Sequence, residues 1–385
     1  MLATKDDPLL VGLLTSLRRT LHSCPETAGN EVLTSGVIAN FVEAYKPDAI
    51  RRNIGGHGIA AEYWGRGDGP TVMVRCELDA LAIEDEPEGR PFGGAAHRCG
   101  HDGHMAMVAG LAPRLFVERP KAGRVVLLFQ PSEETGSGAR DVINDPEFGR
   151  FKPDYAVALH NLPGVPSGLV VARRGVFAGA SVGMCVSFHG APSHAAEPEK
   201  GLSPTPAMAT LLQEFKELNN YDDGDDFQLL TITHVEIGRE SFGLTPGAGR
   251  LRATLRARTE EKLFALRAHV AGRIRHVAEI TGLGVDILWV EEFPDTRSDD
   301  QLVDVLEEGC KETAVDFHLE KVPFRWSEDF GHFAKACPSL YFGLGIGEDR
   351  PNLHSRDYAF PDECIAVGTR IFHRLVSDLT DPGRR

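Results

Sequence analysis

Three short runs, TVMVRC (71–76), RVVLLFQ (124–130) and YAVALH (155–160), constrain the fold of this chain more than any other feature. Each is nearly all apolar and lacks alternation, so each strand must be covered on both faces. That pattern belongs to a parallel sheet packed between helices. Polar residues gather where the runs stop. Glu77 and Asp79 follow the first in ELDAL, Glu133 and Glu134 follow the second in PSEETGSG, and the third ends at His160, Asn161 and Pro163. Ligands bind beyond the carboxyl ends of the strands in open α/β sheets, so a site is expected there. Helix-spaced apolar positions supply covering layers: Leu9, Leu10, Leu13, Leu14 and Leu17 within 8–22, then Val32, Val37, Ile38 and Phe41 within 31–45. Met105–Glu118 also has helical character, and Gly55–Trp64 reads as loop and strand.

From about Ala178 the texture changes. ASVGMCVSFHG alternates as a half-buried strand does, Pro204–Leu218 is helix-spaced, and LLTITHVEIG (229–238) and RLRATLRAR (250–258) are strands. An amphipathic helix over Glu260–Thr281 and the strand VDILWVE (285–291) complete the order strand, helix, strand, strand, helix, strand. This is a ferredoxin-like unit with one face of its sheet open. Residues 292–385 return to α/β texture, with helices near Gln301–Thr313 and Glu363–Ser377 around the strand SLYFGLG (339–345). The expected organisation is a catalytic domain in two parts, 1–177 and 292–385, with a smaller domain inserted at 178–291.

A chain of 385 residues exceeds the roughly 250–300 at which single cores stop growing, in keeping with two domains or three. The net charge of -15 argues against nucleic acid or an anionic membrane as partner, since both need a basic face. No window approaches the roughly 18 apolar residues of a membrane span, and MLATKDDPLL lacks the pattern of a signal peptide. Seven scattered cysteines, an odd number, fit no disulfide framework and point to a reducing cytoplasm.

Chemistry concentrates in HRCGHDGH (97–104). It packs His97, Cys99, His101, Asp102 and His104 into eight residues, with Gly100 and Gly103 loosening the backbone as a loop around an ion requires. Cys99 offers a thiolate and His101 an imidazole, while Asp102 or His104 would orient them. Glu133 and Glu134 are adjacent, and in an extended segment their side chains point opposite ways. One carboxylate then binds metal while its neighbour faces substrate and water. His160 ends a strand, and His354 sits in the loop PNLHSRD. Each residue alone also suits an ordinary polar role at a strand end. Together, one thiolate, three imidazoles and one carboxylate suit two divalent ions, with Cys99 bridging and His101, Glu134, His160 and His354 completing the shells. Such N/S/O donors favour zinc, with manganese, cobalt or nickel as replacements. Glu133 is left as the base that takes a proton from water in amide hydrolysis.

The ordered series RCELDAL, HRCGHDGH, FQPSEETGSGA, LHNLPG, SHAAEP and SEDF…LHS resembles the metal-dependent amidohydrolases of the aminoacylase/carboxypeptidase family. The branch of hippurate hydrolase and the plant auxin-conjugate (IAA-amino acid) hydrolases is the nearest in pattern. The resemblance runs from LRRTLH (17–22) to the last helix. It implies a zinc-peptidase-like catalytic domain with a mostly parallel sheet and an inserted ferredoxin-like lid domain that mediates homodimerisation. It implies Cys99, His101, Glu134, His160 and His354 as metal ligands and Glu133 as base. His194, in GAPSHAAEP, would hold the substrate carbonyl of the partner chain, and Asp79 would lie beside the metals. The implied substrate is a small amide, an N-acyl amino acid or, alternatively, a dipeptide. A non-catalytic binding protein is disfavoured, because it would not need Glu133. Two departures stand out. GLTPG (243–247) replaces the stretch where an asparagine is expected, and Arg98 places a positive charge within the metal loop, expected near the mouth of the site.

Overall fold

The computed structural model describes residues 7–83 and 94–384; the first six residues of the N-terminal stretch considered above lie outside them. The chain divides into two compact units, one of 1–177, 296–321 and 329–385, the other of 178–295 and 322–328. The second unit therefore runs four residues past 291, because its last strand extends to Phe293, and it takes back the short segment 322–328.

The first unit holds an eight-stranded sheet in the order Ala49–Ile54, Gly58–Trp64, Arg124–Gln130, Thr71–Glu77, Tyr155–Pro163, Ser339–Gly347, Val170–Ala172, Phe317–Leu319. The four central strands, from Arg124–Gln130 to Ser339–Gly347, are mutually parallel, and antiparallel pairings lie toward the edges. Every residue of Thr71–Glu77 is buried, as are six of the seven in Arg124–Gln130. That two-sided burial is what the unalternating apolar runs demand. The helix His101–Ala109, buried along its whole length, packs on the central strands and against the helices Pro8–His22 and Cys364–Leu379. Asp7 caps Pro8–His22, its carboxylate accepting the Leu9 N–H at 3.0 Å.

The second unit is a four-stranded antiparallel sheet in the order Gln228–Ile237, Ala248–Ala257, Ala180–His189, Gly284–Phe293. Helices Thr205–Lys216 and Glu260–Thr281 cover one face through Leu211, Phe215, Val270 and Ile274, and alternate strand residues such as Arg250 and Arg252 stay exposed. The chain order and strand order are those of the ferredoxin-like unit. Among the described residues no helix is long and apolar enough to cross a membrane, and all seven cysteines are free thiols.

Candidate metal centre

The polar strand ends of the first unit come together. Glu77 closes Thr71–Glu77, Glu133 and Glu134 follow Arg124–Gln130, His160 lies within Tyr155–Pro163, and His354 is in the loop after Ser339–Gly347. Cys99 and His101 flank Gly100, whose φ of 95° turns the chain into the helix His101–Ala109. Donor atoms of Cys99, His101 and His160 lie within 4.8 Å of one another, as do those of Cys99, Glu134 and His354 and those of His101, Glu133 and Glu134. Cys99 belongs to two of these groups. All five expected ligands and Glu133 are thus assembled in one place.

The imidazoles are oriented by their neighbours. The Nδ1–H of His101 donates to the Asp79 backbone carbonyl at 2.9 Å, and that of His160 donates to the Asn161 carbonyl at 2.8 Å. Each ring then turns Nε2 inward. His160 Nε2 is 3.4 Å from Cys99 Sγ, and His101 Nε2 is 3.8 Å from Glu134 and 4.0 Å from Glu133. His101 Nε2 is buried and has no hydrogen-bond partner, a state that costs roughly 1–3 kcal/mol unless something is bound there. Burial, reinforced by Glu134, pushes the Cys99 thiol up to about 12, so a thiolate at neutral pH needs a cation beside it. An orphaned imidazole nitrogen and a buried thiol among carboxylates are what a divalent metal site requires.

His104 also enters the cluster, but both its nitrogens are engaged. Nδ1–H donates to Glu77 at 2.7 Å, and Nε2 accepts the Asn161 N–H at 3.2 Å. Burial alone would raise the Glu77 carboxyl, but Arg75 and then His104 outweigh it and hold the group well below the usual carboxylate range. Asp79 serves twice, since its Oδ2 also accepts the Glu134 N–H at 2.9 Å.

Several expectations are corrected. Glu133 and Glu134 are not extended. They form a 3₁₀ turn between Ser132 (φ 57°) and Gly136 (φ 69°), so both carboxylates approach His101. Glu31, remote in sequence, secures the left-handed Ser132 by accepting its N–H at 2.8 Å. HRCGHDGH is a loop only up to Gly100; Gly103 lies within the helix, and the Phe360 ring occupies the space a Cβ there would need, 2.5 Å away, so the position takes only glycine. Asp102 serves the other side of that helix, accepting from His22 at 2.8 Å and Arg18 at 3.1 Å. These contacts and His97 offset burial and hold its carboxyl down to about 2. His97 is buried against His22 and joins none of the metal-capable groups among the described residues. Arg98 is 7 % exposed rather than at an open mouth, and its carbonyl accepts the His354 N–H at 2.8 Å. In the second unit, His194 is exposed, and its Nδ1 accepts the Ala196 N–H at 3.1 Å. The GLTPG turn is tied to the same loop, as Thr245 Oγ1 accepts the Ser193 N–H at 2.8 Å.

Arg75, Asp329, Asn161 and Tyr358 carry much of the surrounding hydrogen bonding and were given no role from sequence. Arg75 leaves a signal in its strand, since an arginine inside an otherwise apolar, doubly covered run has to be paired, and Asn161 stands among the polar residues at a strand end.

The sequence model of peptidase family M20/M25/M40 matches residues 73–378. An N-acetyldiaminopimelate deacetylase of Exiguobacterium sibiricum is 29% identical over 91% of this chain and 94% of its own. The IAA-amino acid hydrolase ILR1-like 5 of Arabidopsis thaliana is 26% identical over 94% of this chain and 86% of its own. Among solved structures, a dinuclear metal binding peptidase from Bacillus subtilis superposes with a TM-score of 0.79 at 24% identity, covering 97% of this chain and 99% of that one.

Proposed function

The chain belongs to the M20/M25/M40 peptidase family, and from that premise we propose that it uses two divalent ions to hydrolyse the amide bond of an N-acyl amino acid or a related amide. One observation carries the reading: the Cys99 thiol belongs to two ligand groups at once, with His101 and His160 turning Nε2 toward the cluster. Cys99, His101, Glu134, His160 and His354 would hold the ions, and the donor set favours zinc over manganese, cobalt or nickel. Such ions polarise a carbonyl and bring the pKa of water toward about 7.

Glu133 takes the proton of the attacking water and passes it to the leaving nitrogen. Its carboxylate is nearly buried and 4.0 Å from His101 Nε2, close enough to the ligand set to meet a water held there. Asp79 fixes the peptide that carries the glutamates. His194 holds the carbonyl oxygen as charge develops on it, and it does so on the active site of the partner in a homodimer built through the second units. Free thiols throughout support a cytoplasmic setting.

The test is a panel of N-acetyl and N-benzoyl amino acids beside dipeptides, assayed with zinc, manganese and cobalt. N-acyl amino acids should be cleaved to a carboxylate and a free amino acid; cleavage of dipeptides alone would replace the reading with an exopeptidase. Glu133→Gln should keep its metal content and lose turnover by about 10²–10⁴-fold, the usual range for a general base. A loss under about tenfold would remove Glu133 from that role.

A further inference from the structure

Behind the proposed ligands lies a chain of buried polar groups that none of the ligand roles requires. Arg75 bonds Asp329 at 2.6 Å and pairs with Glu77, Glu77 accepts from His104, and Nε2 of His104 meets Asn161. Asn161 is fully buried and makes its contacts through both ends of its amide. Oδ1 accepts the Tyr358 O–H at 2.5 Å, while Nδ2 donates to the Cys99 backbone carbonyl at 2.6 Å and lies 3.1 Å from His104 Nε2.

Chemistry fixes the direction of this amide. The Cys99 carbonyl can only accept, and His104 Nε2 can only accept because Nδ1 carries the proton given to Glu77. Both acceptors stand on the nitrogen side, where His160 Nδ1 also lies 3.3 Å away with its proton committed to the Asn161 carbonyl, and the one hydroxyl donor stands on the oxygen side. The backbone is shaped to admit the contact. At Gly100 a Cβ would lie 2.5 Å from both Asn161 Nδ2 and the Tyr358 hydroxyl, so the residue after Cys99 has to be glycine for Asn161 and Tyr358 to come this close.

We infer that Asn161, oriented by His104 and Tyr358, is a positioning residue that holds the Cys99 carbonyl and thereby sets where the Cys99 sulfur is presented to both ions; this rests on the metal-centre reading above. Because Cys99 is shared between two ligand groups, a shift of its backbone is felt at both. Asn161 also supplies the carbonyl that orients His160, but any residue at 161 offers that carbonyl. Only the side chain is specific to asparagine.

Asn161→Asp tests this, since it keeps the size and the acceptor for Tyr358 but presents an oxygen to the Cys99 carbonyl. Tyr358→Phe removes the anchor while leaving the amide. The apo forms of both variants and of the parent chain are titrated with Co(II). Affinity is read by competition with a chelator, the thiolate-to-cobalt absorption reports the sulfur, and far-UV circular dichroism reports the fold. Outer contacts of this kind typically change metal affinity 10–100-fold, and Asn161→Asp is expected in that range, with a weaker thiolate band per bound ion. Tyr358→Phe is expected to move both readouts the same way by a smaller factor, above twofold. A folded Asn161→Asp chain with the parent's affinity and band would overturn the inference. If that variant does not fold, Tyr358→Phe decides, and an affinity within twofold of the parent's overturns it. A parent chain that takes up no Co(II) removes the metal-centre reading and this inference together, whereas normal uptake by parent and variants removes the inference alone.

Discussion

Replacing Arg75 with methionine tests whether buried charge behind the site is held by pairing rather than by burial. Arg75, Glu77 and Asp329 have side chains fully excluded from solvent. The guanidinium binds Gln130 through Nε at 2.8 Å, Asp329 through Nη2 at 2.6 Å and Glu77 through Nη1. Methionine fills much of the same volume but leaves two buried carboxylates without their shared cation. Removing one partner of a buried pair typically costs about 3–5 kcal/mol, because the other charge stays uncompensated. A domain of about 150–250 residues loses roughly 2–4 °C in Tm per kcal/mol, so the melting transition of the first unit should fall by about 6–20 °C. Differential scanning calorimetry of the metal-free chain measures this. Arg75→Lys keeps one charge but not the three-way fork and should fall between the two. Adding Glu77→Gln to Arg75→Met should recover part of the loss, since fewer charges are then stranded. A methionine variant melting within 2 °C of the parent would refute the reasoning.

Two further outcomes are expected. Burial, then Arg114 and Arg374, lowers His373 from 6.5 to about 4. The folded state therefore keeps this ring neutral while the unfolded chain protonates near 6.5, so the contribution is complete above pH 6.5 and is lost as pH falls toward 4. It amounts to at most about 3 kcal/mol. His373→Gln should flatten that part of the Tm–pH curve, and parallel curves for parent and variant would exclude the assignment. For His194, the variants His194→Ala and Glu133→Ala should each be nearly inactive, and refolding them together should restore activity, because one site of a mixed dimer then has both residues. Mixed dimers confirmed by mass but no more active than the separate variants would rule out action across the dimer.

What the sequence made legible is what short-range patterning controls. The central strands were readable because doubly covered strands leave no alternation, and the second unit because half-buried strands do. The candidate ligands could be picked out because carboxylates and imidazoles fall near strand ends and Cys99 and His101 share one short glycine-containing stretch. Their donor atoms lie close together in the fold. The misjudged segments are governed by residues distant in the chain. Gly103 looks like a helix breaker until the Phe360 ring is placed against it. The turn at Glu133 depends on Ser132 being held by Glu31, 101 residues earlier, and beyond its neighbour Glu77 the charge of Arg75 is matched by Asp329, 254 residues later. No window of sequence contains both members of such a pair.

The three imidazoles of the cluster show how this scaffold separates binding from support. His101 and His160 donate Nδ1–H to backbone carbonyls, which have no proton to lose and are present whatever side chain the residue carries. Their tautomers are therefore fixed, with Nε2 left to face an ion. His104 carries the same Nδ1–H but gives it to the Glu77 carboxylate, and its Nε2 is taken by Asn161. From sequence, His101 is assigned to the metal and the orienting role to Asp102 or His104, although His101 and His104 lie on the first turn of one helix. The distinction comes from what stands opposite Nε2: carboxylates and a thiol for His101, the N–H of a buried peptide for His104. For His104, coordination would first require breaking the buried hydrogen bond from the Asn161 N–H, a cost that the unpartnered Nε2 of His101 does not carry. His104 accordingly groups with Arg75, Glu77 and Asn161 in a buried hydrogen-bonded layer behind the proposed ligands.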